Sequence, residues 1–115
     1  MKNYNELQAL VLAWAQQKGI FDKGTPIAQA GKTMEECTEL MVAIAFDNKE
    51  EIKDALGDIL VTIIIQAEMQ GMSLVECLES AYNVIAKRTG VMVNGKFVKD
   101  VSSHSGFSDD NTSVA

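Results

Sequence analysis

The chain has 115 residues and a mass of 12.5 kDa, which is the length of one domain with a single hydrophobic core. Apolar residues make up 47% of the sequence and charged residues 23%, which excludes a wholly disordered chain. Sixteen acidic residues outnumber ten basic ones and give a net charge of −6. We therefore expect no binding to nucleic acid or to an anionic membrane surface, because both attract basic proteins.

The two cysteines, Cys37 and Cys77, lie in apolar segments and are predicted to be buried, reduced thiols. They do not form the spaced set that staples a small secreted domain. The N-terminus lacks the apolar stretch of a signal peptide. The apolar run 59–65 is far shorter than the roughly 20 residues that span a bilayer. We expect a cytoplasmic protein.

Apolar residues at helical spacing predict four helices. These helices are expected at about 5–18, 26–47, 49–70 and 74–88, with a loop at 21–24. Thr25 and Pro26 predict an N-cap and the first position of the second helix. Asn48 and Ser73 are each followed three residues later by a glutamate, which is the spacing of a capping box.

The predicted third helix is apolar over its second half and has almost no polar face there, so we expect it to be buried on most sides. In a chain with four short helices, such a segment predicts an oligomer interface. Trp14 lies on the apolar stripe of the first helix and is predicted to belong to the core, with stacking on a base as the alternative.

The helical spacing of apolar residues ends after the fourth predicted helix. Asn94 and Gly95 separate two short β-forming segments and predict a type I′ hairpin, because both residues tolerate positive φ angles. Residues 101–115 are polar and without periodicity, so we predict a flexible tail behind a domain formed by residues 1–100.

Half of the sixteen acidic residues lie in the stretch 35–58. On a helix Glu36 and Glu39 point about 60° apart, so their carboxylates share a face. The acids that share a face of the next helix are Glu51, Asp54 and Asp58. Two such clusters on consecutive antiparallel helices can form an all-oxygen pocket, which suits Mg²⁺ or Mn²⁺ carrying substrate phosphates.

The alternative is that these acids form solvated faces of amphipathic helices, as most acidic runs do. Asp58 directly precedes the apolar run, and Glu36 and Glu39 are close to Leu40 and Met41. Carboxylates at the margin of a core need partners, and this position favours a metal site.

Two segments carry a family resemblance. The letters EECTEL at 35–40 and LGDIL at 56–60 resemble the EExxE and ExxD motifs of MazG-type nucleoside triphosphate pyrophosphohydrolases. These belong to the all-α NTP pyrophosphatase superfamily, which includes dimeric dUTPases and dCTPases. Segments 81–82, 87–90 and 92–99 are similar to small MazG-like proteins of bacteriophages. Over residues 4–100 the resemblance implies an all-α, four-helix bundle-like fold with a short C-terminal β-hairpin.

The resemblance implies Mg²⁺-dependent hydrolysis, with Mn²⁺ as a possible substitute, of a (d)NTP to the monophosphate and pyrophosphate. The family ligands carry over onto Glu36, Glu39 and Asp58. The family has a glutamate three residues before the aspartate, where this chain has Ala55. Asp54 or Glu51 would supply the missing oxygen, since both share the face of Asp58.

The same resemblance implies roles for further residues. Glu35 or Glu36 would orient the attacking water or take its proton. The predicted phosphate-binding residues are Lys32, Lys53, Lys87 and Arg88. Lys87 and Arg88 equally fit a structural role, because basic residues are favourable at the end of a helix.

The expected partners are a nucleoside triphosphate substrate and further copies of the chain, as a homodimer or a tetramer. An alternative function is a non-catalytic helical oligomer that binds a nucleotide or a divalent cation as a sensor or scaffold, and Ala55 keeps this alternative open. A purely structural helical bundle is the third hypothesis, and it predicts no metal affinity.

Overall fold

The computed structural model describes residues 1–100 and confirms the mostly helical fold with a short hairpin. In chain order the elements are α1 (Tyr4–Gln17), α2 (Ile20–Lys23), α3 (Pro26–Ala45), α4 (Lys49–Met69), α5 (Leu74–Ile85), β1 (Gly90–Val93) and β2 (Lys96–Lys99). The chain forms two compact units, one over Met1–Glu76 and one from Cys77 onward. The predicted tail at 101–115 lies outside the described residues.

The predicted helix starts are confirmed by their caps. The Thr25 hydroxyl accepts from the Ala28 N–H at 3.2 Å, and Pro26 takes the first helical position of α3. The Asn48 side chain accepts from the Glu51 N–H at the start of α4. Ser73 and its partner glutamate three residues later exchange both bonds of a capping box.

The predicted loop at 21–24 is wrong, because the chain forms the short helix α2 there. Gly19 adopts φ +82°, a left-handed conformation that ends α1 and redirects the chain. Helical hydrogen bonds then resume, because the N–H groups of Lys23 and Gly24 donate to the Gly19 and Ile20 carbonyls. Four residues are too few to show apolar periodicity, so the sequence carries no signal for this element.

Helices α3 and α4 form an antiparallel pair that is the main packing contact of the first unit. Side-chain hydrogen bonds fix their register. The Gln66 amide donates to the Pro26 carbonyl at 2.9 Å, and the Gln29 amide donates to the Thr62 carbonyl at 3.2 Å. The Thr33 and Thr62 hydroxyls are 2.9 Å apart. Partner numbers fall along α4 as they rise along α3, so the two helices run in opposite directions.

The second half of α4 holds half of the buried apolar core, as its sequence predicted. The core residues of the described chain are Ala15, Ala43, Ala55, Ile64, Ile65 and Ala67. Two predictions of burial are wrong. Trp14 is 46% exposed, and Cys37 is exposed. Cys77 is half-buried.

The second unit contains most of α5 and the hairpin. Its β1 and β2 pair antiparallel, and the turn residues Asn94 and Gly95 have φ angles of +52° and +81°, which confirms the predicted type I′ turn. Helix α5 ends at Ile85, three residues before the predicted end near Arg88. In residues 1–100 no single helix is long and apolar enough to cross a membrane, and only the bent pair of α4 and α5 meets that length and composition together.

Candidate functional site

One stripe of α3 faces α4 along its whole length. Its members follow each other at intervals of three and four residues, so they share one side of the helix. We call it the inner stripe, and it consists of Gln29, Thr33, Glu36, Leu40 and Ala43. Leu40 and Ala43 are apolar. The polar groups of Gln29 and Thr33 form hydrogen bonds within α3 or to Thr62 of α4. The exception is the carboxylate of Glu36, at the centre of the stripe.

Glu36 is buried with a relative exposure of 6%. Its Oε2 lies 3.5 Å from Lys32 Nζ, while its Oε1 is buried without any hydrogen-bond partner. Burying a carboxylate oxygen without a partner is costly, so natural proteins rarely leave one in place. An oxygen of this kind is a ready ligand for a hard cation.

Lys32 supplies the positive charge beside Glu35 and Glu36. It lies one helical turn before Glu36, and its ammonium also lies 3.7 Å from Glu35 Oε1. The negative charge of Glu35, the hydrogen bond to Glu36 and the charge of Glu36 raise the pKa of Lys32 above its usual value. The lysine thus stays protonated and offsets part of the repulsion among these carboxylates.

Asp58 lies opposite Glu36 on α4. It follows the buried Ala55 by three residues and precedes the buried Thr62 by four, so all three lie on the stripe of α4 that faces α3. By the register of the Thr33–Thr62 hydrogen bond, Asp58 and Glu36 are at about the same level along the helix pair. Unlike its neighbours on the stripe, Asp58 is exposed.

The remaining acids line one side of the helix pair. Because α3 and α4 are antiparallel, positions that precede their facing stripes by one residue lie on the same side. Glu35 precedes Glu36 in this way, and Asp54 precedes Ala55. Glu39 is offset from Glu36 in the same direction by about 60° and is at the level of Asp54. These three carboxylates are exposed.

Within residues 1–100, no group of three or more acidic, histidine or cysteine side chains is close enough to hold a metal ion. The compact four-carboxylate pocket that the sequence predicted is therefore not assembled in the single chain. The helix backbones bring the four acids to one side, but like charges repel and the exposed side chains extend into solvent. Their assignment as metal ligands, Glu36, Glu39, Asp54 and Asp58, stays a prediction.

A cavity of about 310 Å³, partly lined by Lys32, lies in the first unit. Trp14, Ile20 and Ile65 give it apolar walls, and Gln29 and Lys32 supply polar groups. The remaining lining residues are Gly24, Thr25, Ala28, Val61 and Thr62. Lys32 belongs to both features, so its side chain runs from the cavity to the buried carboxylate of Glu36.

The other predicted phosphate-binding residues are Lys53, Lys87 and Arg88. Lys53 is exposed on α4, while Lys87 and Arg88 follow α5 in the second unit. None of the three forms a salt bridge with another residue of the described chain. Their role in binding phosphate stays a prediction.

Sequence reasoning missed Gln29 and Thr62 as residues of the site. Their place in the cavity follows from the register of α3 against α4, and nothing in the local sequence signals it. Trp14 did carry a signal, because it is the only tryptophan and lies near the end of its helix. Its stripe position favoured the core, but the side chain lines the cavity.

The chain is similar to a known protein family and to a phage protein. A family model described as the MazG nucleotide pyrophosphohydrolase domain matches residues 25–91, more than half of the chain. An uncharacterized 18.2 kDa protein in the rep-hol intergenic region of Haemophilus phage HP1 (strain HP1c1) is 32% identical over 68 residues. That match covers 59% of this chain and 42% of the phage protein, so the chain spans less than half of this curated relative. No solved structure gives a significant match.

Proposed function

Because this chain belongs to the family of MazG nucleotide pyrophosphohydrolase domains, we propose that it hydrolyses a (d)NTP to the monophosphate and pyrophosphate with the help of Mg²⁺. Family membership points to nucleotide pyrophosphohydrolase chemistry in general, and the substrate class and the metal are our proposal. The observation that carries it is the buried, unpartnered Oε1 of Glu36 beside a cavity that shares Lys32 with it.

The donor set fits a hard divalent cation, which takes carboxylate oxygens and keeps sites open for phosphate. Glu36 and Asp58 lie at about one level of the helix pair, and Glu39 and Asp54 would complete the set one turn away. Mn²⁺ prefers the same oxygen ligands and would substitute. When bound, such an ion neutralises phosphate charge and lowers the pKa of a coordinated water.

The position of Ala55 makes Asp54 the better replacement for the family glutamate. Ala55 is 4% exposed and packs in the stripe of α4 that faces α3, where a longer side chain has little room. Asp54 precedes it by one residue and is exposed on the side that carries Glu35. Glu51 lies one further turn away, at the start of α4.

The remaining polar residues have distinct roles in this proposal. Glu35 is exposed, and its carboxylate is available to orient a water molecule or to take its proton. Lys32 would move from the carboxylates to the triphosphate once a cation has taken its place beside Glu36. Lys53, Lys87 and Arg88 are further candidates for binding phosphate by charge alone.

The cavity is proposed to receive the base or sugar of the nucleotide. Its volume of about 310 Å³ is at the lower end of the range for small-molecule sites, about 300–1,000 Å³. The indole of Trp14 offers a flat apolar surface, and stacking on an aromatic side chain accommodates any base. Gln29 adds an amide donor and acceptor that match the edge of a base.

The test is pyrophosphate release from the eight common NTPs and dNTPs with Mg²⁺ and then Mn²⁺. Asp58→Asn should abolish release, because it removes a charged ligand and keeps the shape of the side chain. Glu68→Gln is the matched control, since Glu68 is an exposed acid near the other end of α4. Release that survives Asp58→Asn, or that falls equally in Glu68→Gln, would contradict the proposal.

The alternative function is a helical oligomer that binds a nucleotide or a cation without turnover. The alanine at position 55, where the family has a metal-binding glutamate, favours it. It predicts a metal-dependent rise in melting temperature with no release of pyrophosphate, since any ligand that binds only the folded state stabilises it. A purely structural bundle predicts neither effect.

A further inference from the structure

One polar side chain of the cavity is held in a fixed orientation. Gln29 lines the cavity from α3, and its Nε2 donates a hydrogen bond to the Thr62 carbonyl of α4 at 3.2 Å. A carbonyl oxygen only accepts hydrogen bonds, so the atom of the amide that faces it has to be the nitrogen. The backbone of the neighbouring helix therefore sets which way the Gln29 amide points.

The amide oxygen of Gln29 remains available to a ligand. Among residues 1–100, no group donates a hydrogen bond to Gln29 Oε1. In the same part of the chain, Glu36 Oε1 is the only buried side-chain oxygen or nitrogen without a partner, so Gln29 Oε1 is open to solvent. The half-buried Gln29 thus presents a hydrogen-bond acceptor in an otherwise largely apolar cavity.

Two other polar residues of the cavity do not offer a free acceptor. The Thr62 hydroxyl donates to the Ile59 carbonyl at 2.7 Å and accepts from the Thr33 hydroxyl at 2.9 Å. The ammonium group of Lys32 can only donate. Among these three residues, the uncommitted acceptor is therefore Gln29 Oε1.

We propose that Gln29 determines which bases the cavity accepts, and that it selects the amino bases cytosine and adenine over the keto bases uracil, thymine and guanine. This inference rests on the proposed function, in which the cavity receives the base. The exocyclic amino group of cytosine or adenine donates a hydrogen bond to Gln29 Oε1. The keto bases have an oxygen in the same place, and that oxygen would face another acceptor.

The hydrogen bond to Thr62 is what makes this selection possible. A glutamine that rotates freely about its last bond can bind both kinds of base, because half a turn exchanges its oxygen for its nitrogen. In this chain the same rotation would place Gln29 Oε1 against the Thr62 carbonyl oxygen and break the bond between the two helices. Selection therefore includes a penalty against the keto bases as well as a bond to the amino bases.

Cytosine and uracil nucleotides provide the matched comparison, because they share the same ring size, sugar and triphosphate. The test is calorimetric binding of the non-hydrolysable α,β-methylene analogues of CTP and UTP to the full chain with Mg²⁺. We expect the CTP analogue to bind about tenfold more tightly or better, because the UTP analogue leaves the polar atoms of the site unpaired. The ATP and GTP analogues repeat the comparison for purines, with the ATP analogue expected to bind more tightly.

Gln29→Leu should bring the affinities for the CTP and UTP analogues close to each other, because it removes the acceptor and keeps most of the side-chain volume. Gln66→Leu is the matched control. The Gln66 amide donates to the Pro26 carbonyl at 2.9 Å, so it also bonds across the helix pair, but Gln66 is not part of the cavity lining. This control should retain the selection, and circular dichroism verifies that both variants keep their helix content.

Three results would overturn the proposal: equal binding of the CTP and UTP analogues by the wild type, tighter binding of the UTP analogue, or a selection that persists in Gln29→Leu. The wild-type comparison is decisive even where Gln29→Leu fails to fold. Because binding is measured without turnover, a chain that selects the CTP analogue but releases no pyrophosphate would confirm the base selection and contradict the proposed hydrolysis. A chain that binds neither analogue would contradict both.

Discussion

Lys32 Nζ lies 3.5 Å from Oε2 of the buried Glu36, and the same lysine lines the apolar cavity. The cation that balances the buried carboxylate therefore also borders the space proposed for the nucleotide. If a divalent cation binds Glu36, it takes over this balancing charge, and the ammonium becomes available for a triphosphate. Binding of metal and binding of substrate are thereby expected to support each other.

Replacing Lys32 by methionine should lower the stability of the metal-free protein. The change leaves Glu36 buried beside Glu35 with no positive partner, and an unpaired buried carboxylate is unfavourable. Saturating Mg²⁺ should restore much of the loss, because the ion supplies the missing positive charge. Thermal melting with and without Mg²⁺ measures this effect, and Lys53→Met, which removes an exposed lysine of α4, is the control. Equal melting temperatures for the two variants without metal would contradict the account.

Nucleotide binding should change the fluorescence of Trp14, which is the only tryptophan and is 46% exposed at the cavity. A base stacked on the indole alters its environment and excludes water from it. Titration with a non-hydrolysable triphosphate tests this directly. Trp14→Ala should raise the KM by about tenfold, since stacking contributes about 1–3 kcal/mol per base. A spectrum that stays constant while another method detects binding would place the base elsewhere.

Introducing the family glutamate by Ala55→Glu should destabilise the protein by about 2 kcal/mol or more and should not raise activity. Ala55 is buried between α3 and α4, so a larger, charged side chain has to displace its neighbours. Asp54→Asn should instead lower pyrophosphate release without a large change in stability, because Asp54 is exposed. Chemical denaturation and pyrophosphate release measure the two effects. A gain of activity in Ala55→Glu would show that Asp54 does not replace the glutamate.

Thr62→Val should destabilise the protein by about 1 kcal/mol. The valine keeps the volume of the side chain but loses the hydroxyl that accepts from Thr33 and donates to the Ile59 carbonyl at 2.7 Å. The double variant with Thr33→Val should lose less than the sum of the two single changes, since both remove the same bond. Additive losses in urea denaturation would mean that the two hydroxyls act independently.

The local features of the fold could be predicted from the sequence because short stretches determine them. The caps at Thr25 and Asn48 and the turn at Asn94 depend on residues within four positions of each other. The helix α2 could not be predicted, because one turn of helix after Gly19 has no periodic signal.

The candidate site could be predicted in part. Glu36 and Asp58 were identified by their motifs. The burial of Glu36 and the exposure of Asp58 could not be predicted, because burial of Glu36 depends on how α3 packs on α4. The exposure of Cys37 has the same origin, since apolar spacing shows that a helix has apolar faces and does not show which face the neighbouring helix covers. Gln29 could not be predicted as a residue of the site, because its place there depends on its hydrogen bond to Thr62 on the neighbouring helix.

The proposed binding of a divalent cation by Glu36 is tested by the melting temperature of the wild type and of Glu36→Gln as a function of Mg²⁺ concentration. We expect a rise for the wild type, with about 2.7 kcal/mol of added stability at a hundred times the dissociation constant. We expect no rise for Glu36→Gln and a full rise for the control Glu68→Gln. An equal rise in the wild type and in Glu36→Gln would show that the ion binds elsewhere, and the account would be wrong.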